Sequence, residues 1–140
     1  MFKLERVTDA PHFEVYEMYP TTASETYKAG EVLTLASGAL TKGAATSAGT
    51  QKFICGADYV APATGMKDIP VYRIKPEMIF KVVSQANNSA GVVGTVVTIH
   101  TDGLQVTATT TAGVCEIVDL LGDGKATSEI LVRFPVTAGR

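Results

Sequence analysis

The chain predicts an all-β fold, a compact barrel or sandwich of about ten short strands, on three observations. Short apolar, β-branched runs alternate with turns that carry Gly, Pro or Asp along most of the chain. No window sustains a 3.6-residue apolar period long enough for a helix, and Glu116 to Leu121, the nearest approach, is too rich in β-branched residues. Finally, Gly30 to Thr41, GEVLTLASGALT, returns in altered form at Gly94 to Thr107 as GTVVTIHTDGLQVT. Each copy is a strand, a turn and the start of a second strand.

The echo continues at a fixed spacing. Cys55 and Cys115 lie sixty residues apart, and the same offset carries Val71-Tyr-Arg-Ile74 onto Leu131-Val-Arg-Phe134. Two related β units, about 30–84 and 92–135, are therefore expected within one domain spanning 27–140. A chain of 140 residues leaves little material for two independent cores, so one core built jointly by both units is expected.

Residues 1–26 stand outside the repeat and read as an extended arm, with His12 to Met18 alternating apolar and polar between Pro11 and Pro20. Two destinations are open for this segment: a partner's surface, or an edge strand folded onto its own domain. Phe2, Leu4, Phe13, Val15 and Tyr16 are its candidate contacts. In the first unit, strands are expected at Val32 to Leu35, Lys52 to Val60 and Ile69 to Ile74, with Gly38 in a turn that favours positive φ. Lys42 to Thr50 is made of residues too small to fill a core and reads as a surface loop. Pro76 to Ser84 closes the unit as a strand, and Gln85 to Gly91 links it to the next. The second unit is expected to run through Val92 to Ile99, the Asp102-Gly103 turn, Leu104 to Thr109, Val114 to Leu121 and Ile130 to Phe134.

Composition narrows the function. A net charge of −2 gives no general attraction to nucleic acid or to an anionic membrane. There is no run near ~20 apolar residues to span a bilayer, and MFKLERVTDAPHFEV lacks the apolar core of a signal peptide, so a cytoplasmic site of synthesis is expected. Cys55 and Cys115 are then expected as reduced thiols packed as small hydrophobes.

Chemical motifs fail one by one. His12 and His100 sit beside turns without a ligand set at metal-binding spacing, and no nucleophile motif surrounds Cys55 or Ser37. Leu121 to Thr127 resembles a phosphate loop faintly, but Asp119 stands where the Walker pattern needs glycine, and Ala126 replaces its Ser or Thr. Asp119, Asp123 and Glu129 lack the alternating ligands and central glycine of a calcium loop. No catalytic residue, cofactor or metal is expected. Arg73 and Arg133 occupy positions that look equivalent in apolar strands, either as outward-pointing residues or as paired anchors at a protein interface.

Tyr27-Lys-Ala-Gly-Glu-Val-Leu-Thr-Leu35, Ser37-Gly-Ala-Leu-Thr-Lys42, Gly94-Thr-Val-Val97 and Ile130-Leu-Val-Arg-Phe134 together resemble the small β-barrel decoration, or cement, proteins of tailed bacteriophages. The resemblance covers about Tyr27 to Phe134 and rests on strand-and-turn texture. It implies a non-enzymatic virion protein on the outer capsid surface, with the major capsid protein as partner, often a homotrimer, whose arm can add a strand to the shell. Other readings are a different phage structural component, such as a head-fibre base or tail-tube subunit, and a bacterial β-barrel ligand-binding module. The absence of Trp gives the last little support.

Overall fold

The computed structural model describes residues 1–7, 15–42, 50–86, 93–123 and 125–135. Phe13, His12 and most of the two loops expected at 42–50 and 85–91 lie outside these residues. The described chain is all β and carries thirteen short strands: β1 (Lys3–Val7), β2 (Tyr16–Pro20), β3 (Thr26–Tyr27), β4 (Val32–Ala36), β5 (Ala39–Thr41), β6 (Phe53–Cys55), β7 (Tyr59–Val60), β8 (Asp68–Arg73), β9 (Met78–Ser84), β10 (Val96–Val97), β11 (Gln105–Val106), β12 (Cys115–Leu120) and β13 (Glu129–Arg133). Among the described residues no helix is long and apolar enough to cross a membrane.

The strands close into two small barrels of the same connectivity. In the first, the order is β2-β8-β6-β4-β5. A parallel bridge from Thr21, just after β2, to Leu40 in β5 shuts the ring. In the second, the order is β9-β13-β12-β10. Its chain then continues to Ile99, which bridges Val106, and β11 lies parallel to β9 to complete the circuit. Each barrel is thus antiparallel except at one parallel seam. That arrangement removes most sheet edges.

The register identifies equivalent residues. Thr21 at the first seam corresponds to Ser84 at the second, where Val106 takes the place of Leu40. Counting back along β2 and β9 pairs Tyr16 with Ile79, Glu17 with Phe80 and Tyr19 with Val82. Tyr16 lies opposite Tyr72 and Ile79 opposite Arg133, so Tyr72 corresponds to Arg133. Ile54 faces Tyr72 while Glu116 faces Arg133, which makes Ile54 and Glu116 counterparts and aligns Phe53 and Cys55 with Cys115 and Ile117. The side chains agree with this register. Leu33, Phe53, Cys55, Ile69 and Val71 form the first barrel's apolar cluster, and Val97, Cys115, Ile117, Ile130 and Val132 fill the second.

This alignment revises the expected repeat. The spacing between counterparts is 61 positions for Tyr72 and Arg133 but 66 for Leu40 and Val106, because the connections differ in length. A constant sixty-residue offset therefore lands one position out between β8 and β13 and two between β6 and β12, and in a strand one position changes the face. Arg73 corresponds to Phe134, and Arg133 to Tyr72. The two units also divide elsewhere: β9, expected to close the first, opens the second, as β2 opens the first.

One edge of β9 carries two neighbours. Its end, Val83 and Ser84, pairs with β11, and its beginning, Met78 to Lys81, pairs antiparallel with β1 across a bulge between Leu4 and Arg6. Phe2 and Leu4 of this strand enter the larger apolar cluster, which joins the second barrel's interior to Val32, Ile54, Tyr72 and Ile74 of the first. Phe80 is the centre of that junction, stacked on Tyr72 at 6.5 Å and met edge-on by Phe2 and Phe134 at 6.4 and 5.8 Å. This larger cluster is a joint core shared by the two barrels, and the first barrel's interior keeps a second, separate cluster, where a single core was expected. The strand pair β3–β7 covers the first barrel's core from outside, with Tyr27 buried and its hydroxyl donating to the Leu40 carbonyl at 2.7 Å.

Candidate functional site

The residues expected to contact a partner fall into different environments. Phe2 and Leu4 are buried in the joint core, so the start of the chain is an edge strand of its own domain in this structure. Val15 and Tyr16 are exposed at the edge of β2, at 62% and 49%, and Met18, which the sequence reading did not single out, joins them at 59%. The signal for Met18 was available: two positions after Tyr16, it shares that residue's face of an alternating strand.

Arg73 closes one mouth of the first barrel. Its guanidinium donates from Nε and Nη2 to the Glu17 carboxylate at 3.2 and 3.1 Å and from Nη2 to the Tyr19 hydroxyl at 3.1 Å, while lying 5.1 Å from the Phe53 ring centre. The hydrogen bond from Arg73 holds the Glu17 carboxyl below its ordinary range, and Glu17 in return raises the guanidinium. Arg133 lies on the outside of the second barrel, paired with Glu116 at 3.0 Å. The two arginines are not register equivalents, and each has its own carboxylate partner.

Among the described residues, concavities lie near these groups. A shallow groove of about 310 Å³ on the second barrel's outer face is lined by Ile79, Val93, Glu116, Val118 and Arg133 among others. A crevice of about 150 Å³ separates β1 from β2 and includes Leu4, Tyr16 and Tyr72. A pocket of about 20 Å³, room for a water, is lined by Gln51, Lys52 and Phe134.

The buried titratable groups have structural surroundings. Burial pushes the Cys115 thiol up to about 12 and raises that of Cys55, so both are poor nucleophiles at neutral pH. Both thiols are free. Burial also lowers the Lys52 ammonium, whose Nζ donates to the Thr50 carbonyl at 3.0 Å. Glu31, 1% exposed, accepts the Lys28 amide at Oε2 and lies 3.0 Å from Lys42 Nζ at Oε1. That Oε1 contact is close but badly aligned for a hydrogen bond, so it is an ion pair. His100 Nδ1 lies 3.2 Å from Asp102 Oδ1 within their shared turn. Among the described residues no three His, Cys, Asp or Glu side chains are grouped to hold a metal.

These elements define a small all-β protein built of two barrels. Compared with known protein families and with curated proteins, the chain matches none.

Proposed function

We propose that the protein is a non-enzymatic virion structural protein that binds the outer surface of a tailed-phage capsid and stabilises the head shell, with the major capsid protein as its partner. The observation that carries the reading, beside the strand-and-turn resemblance, is the open groove on the second barrel. It combines apolar Ile79, Val93 and Val118 with the half-exposed Arg133–Glu116 pair, the mixture found where proteins meet without obligate association. A contact this shallow is weak by itself. Repeated over many identical copies on one shell, weak contacts still resist internal pressure.

The test is co-sedimentation of the purified protein with expanded phage heads stripped of their own decoration. Saturable binding that protects the heads from heat disruption is expected, and Arg133→Ala should lower the bound fraction without altering the circular dichroism of the free protein. Folded wild-type protein that binds no expanded head would defeat the proposal.

A further inference from the structure

The groove on the second barrel and the crevice on the first are the same hollow in the repeat. Gly30 N–H donates to the Cys55 carbonyl and Cys55 N–H to the Glu31 carbonyl; Gly94 N–H donates to the Ile117 carbonyl and Ile117 N–H to the Thr95 carbonyl. Gly94 is therefore the counterpart of Gly30, and Val93 that of Ala29. Ile79, Glu116 and Arg133 stand where the first barrel has Tyr16, Ile54 and Tyr72. Val118 follows Ile117 as Gly56 follows Cys55, so every residue lining the groove has its counterpart in the lining of the crevice.

The crevice is also lined by residues 1–4 of the chain itself, and about 150 Å³ remains there against about 310 Å³ in the groove. Phe2 N–H donates to the Gly30 carbonyl at 2.9 Å, and Met1 lies so close over Gly30 that an added Cβ would come within 2.6 Å of its side chain. A Cβ added at Gly94 would meet nothing within 4 Å. Both glycines have positive φ, 84° and 92°, and the same flanking hydrogen bonds, so their carbonyls are presented alike. Gly30 is buried and Gly94 is exposed.

We infer that the groove is the docking site for an extended segment of a partner chain, held as residues 1–4 are held in the crevice. One residue of the segment lays an apolar side chain over Gly94, Val93 and Val118, and the next donates its N–H to the Gly94 carbonyl. The rest of the segment differs in chemistry from residues 1–4. In the crevice Phe2 and Leu4 join Ile54 and Tyr72 in one apolar cluster, and at those two places the groove has Glu116 and Arg133. Arg133 is the more exposed of this pair, 49% against 24%, and reaches Glu116 through Nε and Nη2, which leaves Nη1 to an incoming group. The segment therefore carries a carboxylate where Phe2 or Leu4 would stand, one or three residues after its apolar anchor. Residues 1–4 of a second copy do not fit, because Phe2 and Leu4 are buried in their own chain and would cover the ion pair with hydrocarbon. This inference deepens the capsid reading and rests on it only for the identity of the partner.

Selection of a displayed library of random heptapeptides on the purified protein decides it. Enriched sequences should share an apolar residue followed one or three positions later by Asp or Glu. Val93→Lys should weaken their binding at least ~10-fold with unchanged circular dichroism, and Arg133→Glu supplies the same readout should Val93→Lys fail to fold. Val60→Lys, at an exposed site on β7 that does not line the groove, should leave the binding as it is. No enrichment, a consensus without the acid, or binding that persists in the folded groove variants would overturn the inference. Head binding is read separately. Protein that binds heads but enriches no peptide defeats this inference alone, and protein that enriches the acidic consensus yet binds no head leaves it standing without the capsid reading.

Discussion

The two barrels share a strand order and a parallel seam, yet they use equivalent positions in opposite ways. Where the second barrel places Phe80 at the centre of the joint core, the first places Glu17 at a mouth closed by Arg73, with Tyr19 also bonded to it. Where β9 pairs with both β1 and β13, the strand pairing of β2 runs along β8. One connectivity therefore supports two divisions of labour: a barrel that supplies most of the larger apolar cluster, and a barrel that carries a partly exposed ion pair at its mouth. Topology sets where a residue stands, and the side chain decides whether that place is core or contact.

The comparison breaks most visibly at its central pair. Phe80→Ala removes a fully buried ring that meets Phe2, Tyr72 and Phe134, and should cost about 3–5 kcal/mol in urea unfolding. Phe2→Ala should fall in the same range, because β1 is part of the core and not a loose arm. Glu17→Ala, at the position equivalent to Phe80, removes a partly exposed ion pair and should cost under about 1 kcal/mol. Comparable losses at Phe80 and Glu17 would mean that the register equivalence has no energetic meaning.

The hairpin turns give a second contrast of intermediate size. Gly38 and Gly103 both have positive φ, 83° and 73°. A methyl group at Gly38 would meet nothing within 4 Å, whereas at Gly103 it would come within 2.7 Å of Glu31 Cγ and 3.2 Å of the Val32 carbonyl. Gly38→Ala should therefore lose only the ~1 kcal/mol of a left-handed backbone. Gly103→Ala should lose that and about 1–3 kcal/mol more, since Glu31 is itself buried beneath the turn and cannot simply swing out. Chemical denaturation of the two variants side by side measures the difference. Equal losses would show that the second barrel's turn is not locked to the first barrel through Glu31.

The all-β class and both hairpin turns were legible, because β-branched alternation and glycine-bearing turns are local signals. The parallel seams were not. Thr21 meets Leu40 and Val83 meets Gln105 across intervening strands, and no local pattern marks either pairing. The repeat was visible but misaligned, since connections of unequal length shift the spacing while strand texture stays similar. β9 was assigned to the wrong unit for the same reason. Phe2 and Leu4 show the limit for the candidate site: alternation says that one face of a strand will be covered, and does not say by whose residues. Tyr16 and Val15 were found exposed because Tyr16 faces outward from the barrel wall and Val15 precedes the strand, a placement that depends on the register with β8.

The smallest effect lies in the Arg73–Glu17 pair, and its sign is fixed by the direction of the shift. Glu17 titrates below its ordinary value of 4.5 in the folded chain because Arg73 donates to its ionised form. Such a group binds fewer protons folded than unfolded, so its contribution is complete above 4.5 and is lost as pH falls through the lower, folded value. The pair is partly exposed, which keeps the contribution under about 1 kcal/mol and open to screening by salt. Unfolding wild type and Glu17→Gln should then show a gap in stability at neutral pH that narrows in acid and also narrows in high salt. A gap that ignored both variables would place the effect in packing at the barrel mouth, where Arg73 also lies against Phe53, and would leave the charge of Glu17 without a role in holding the first barrel closed.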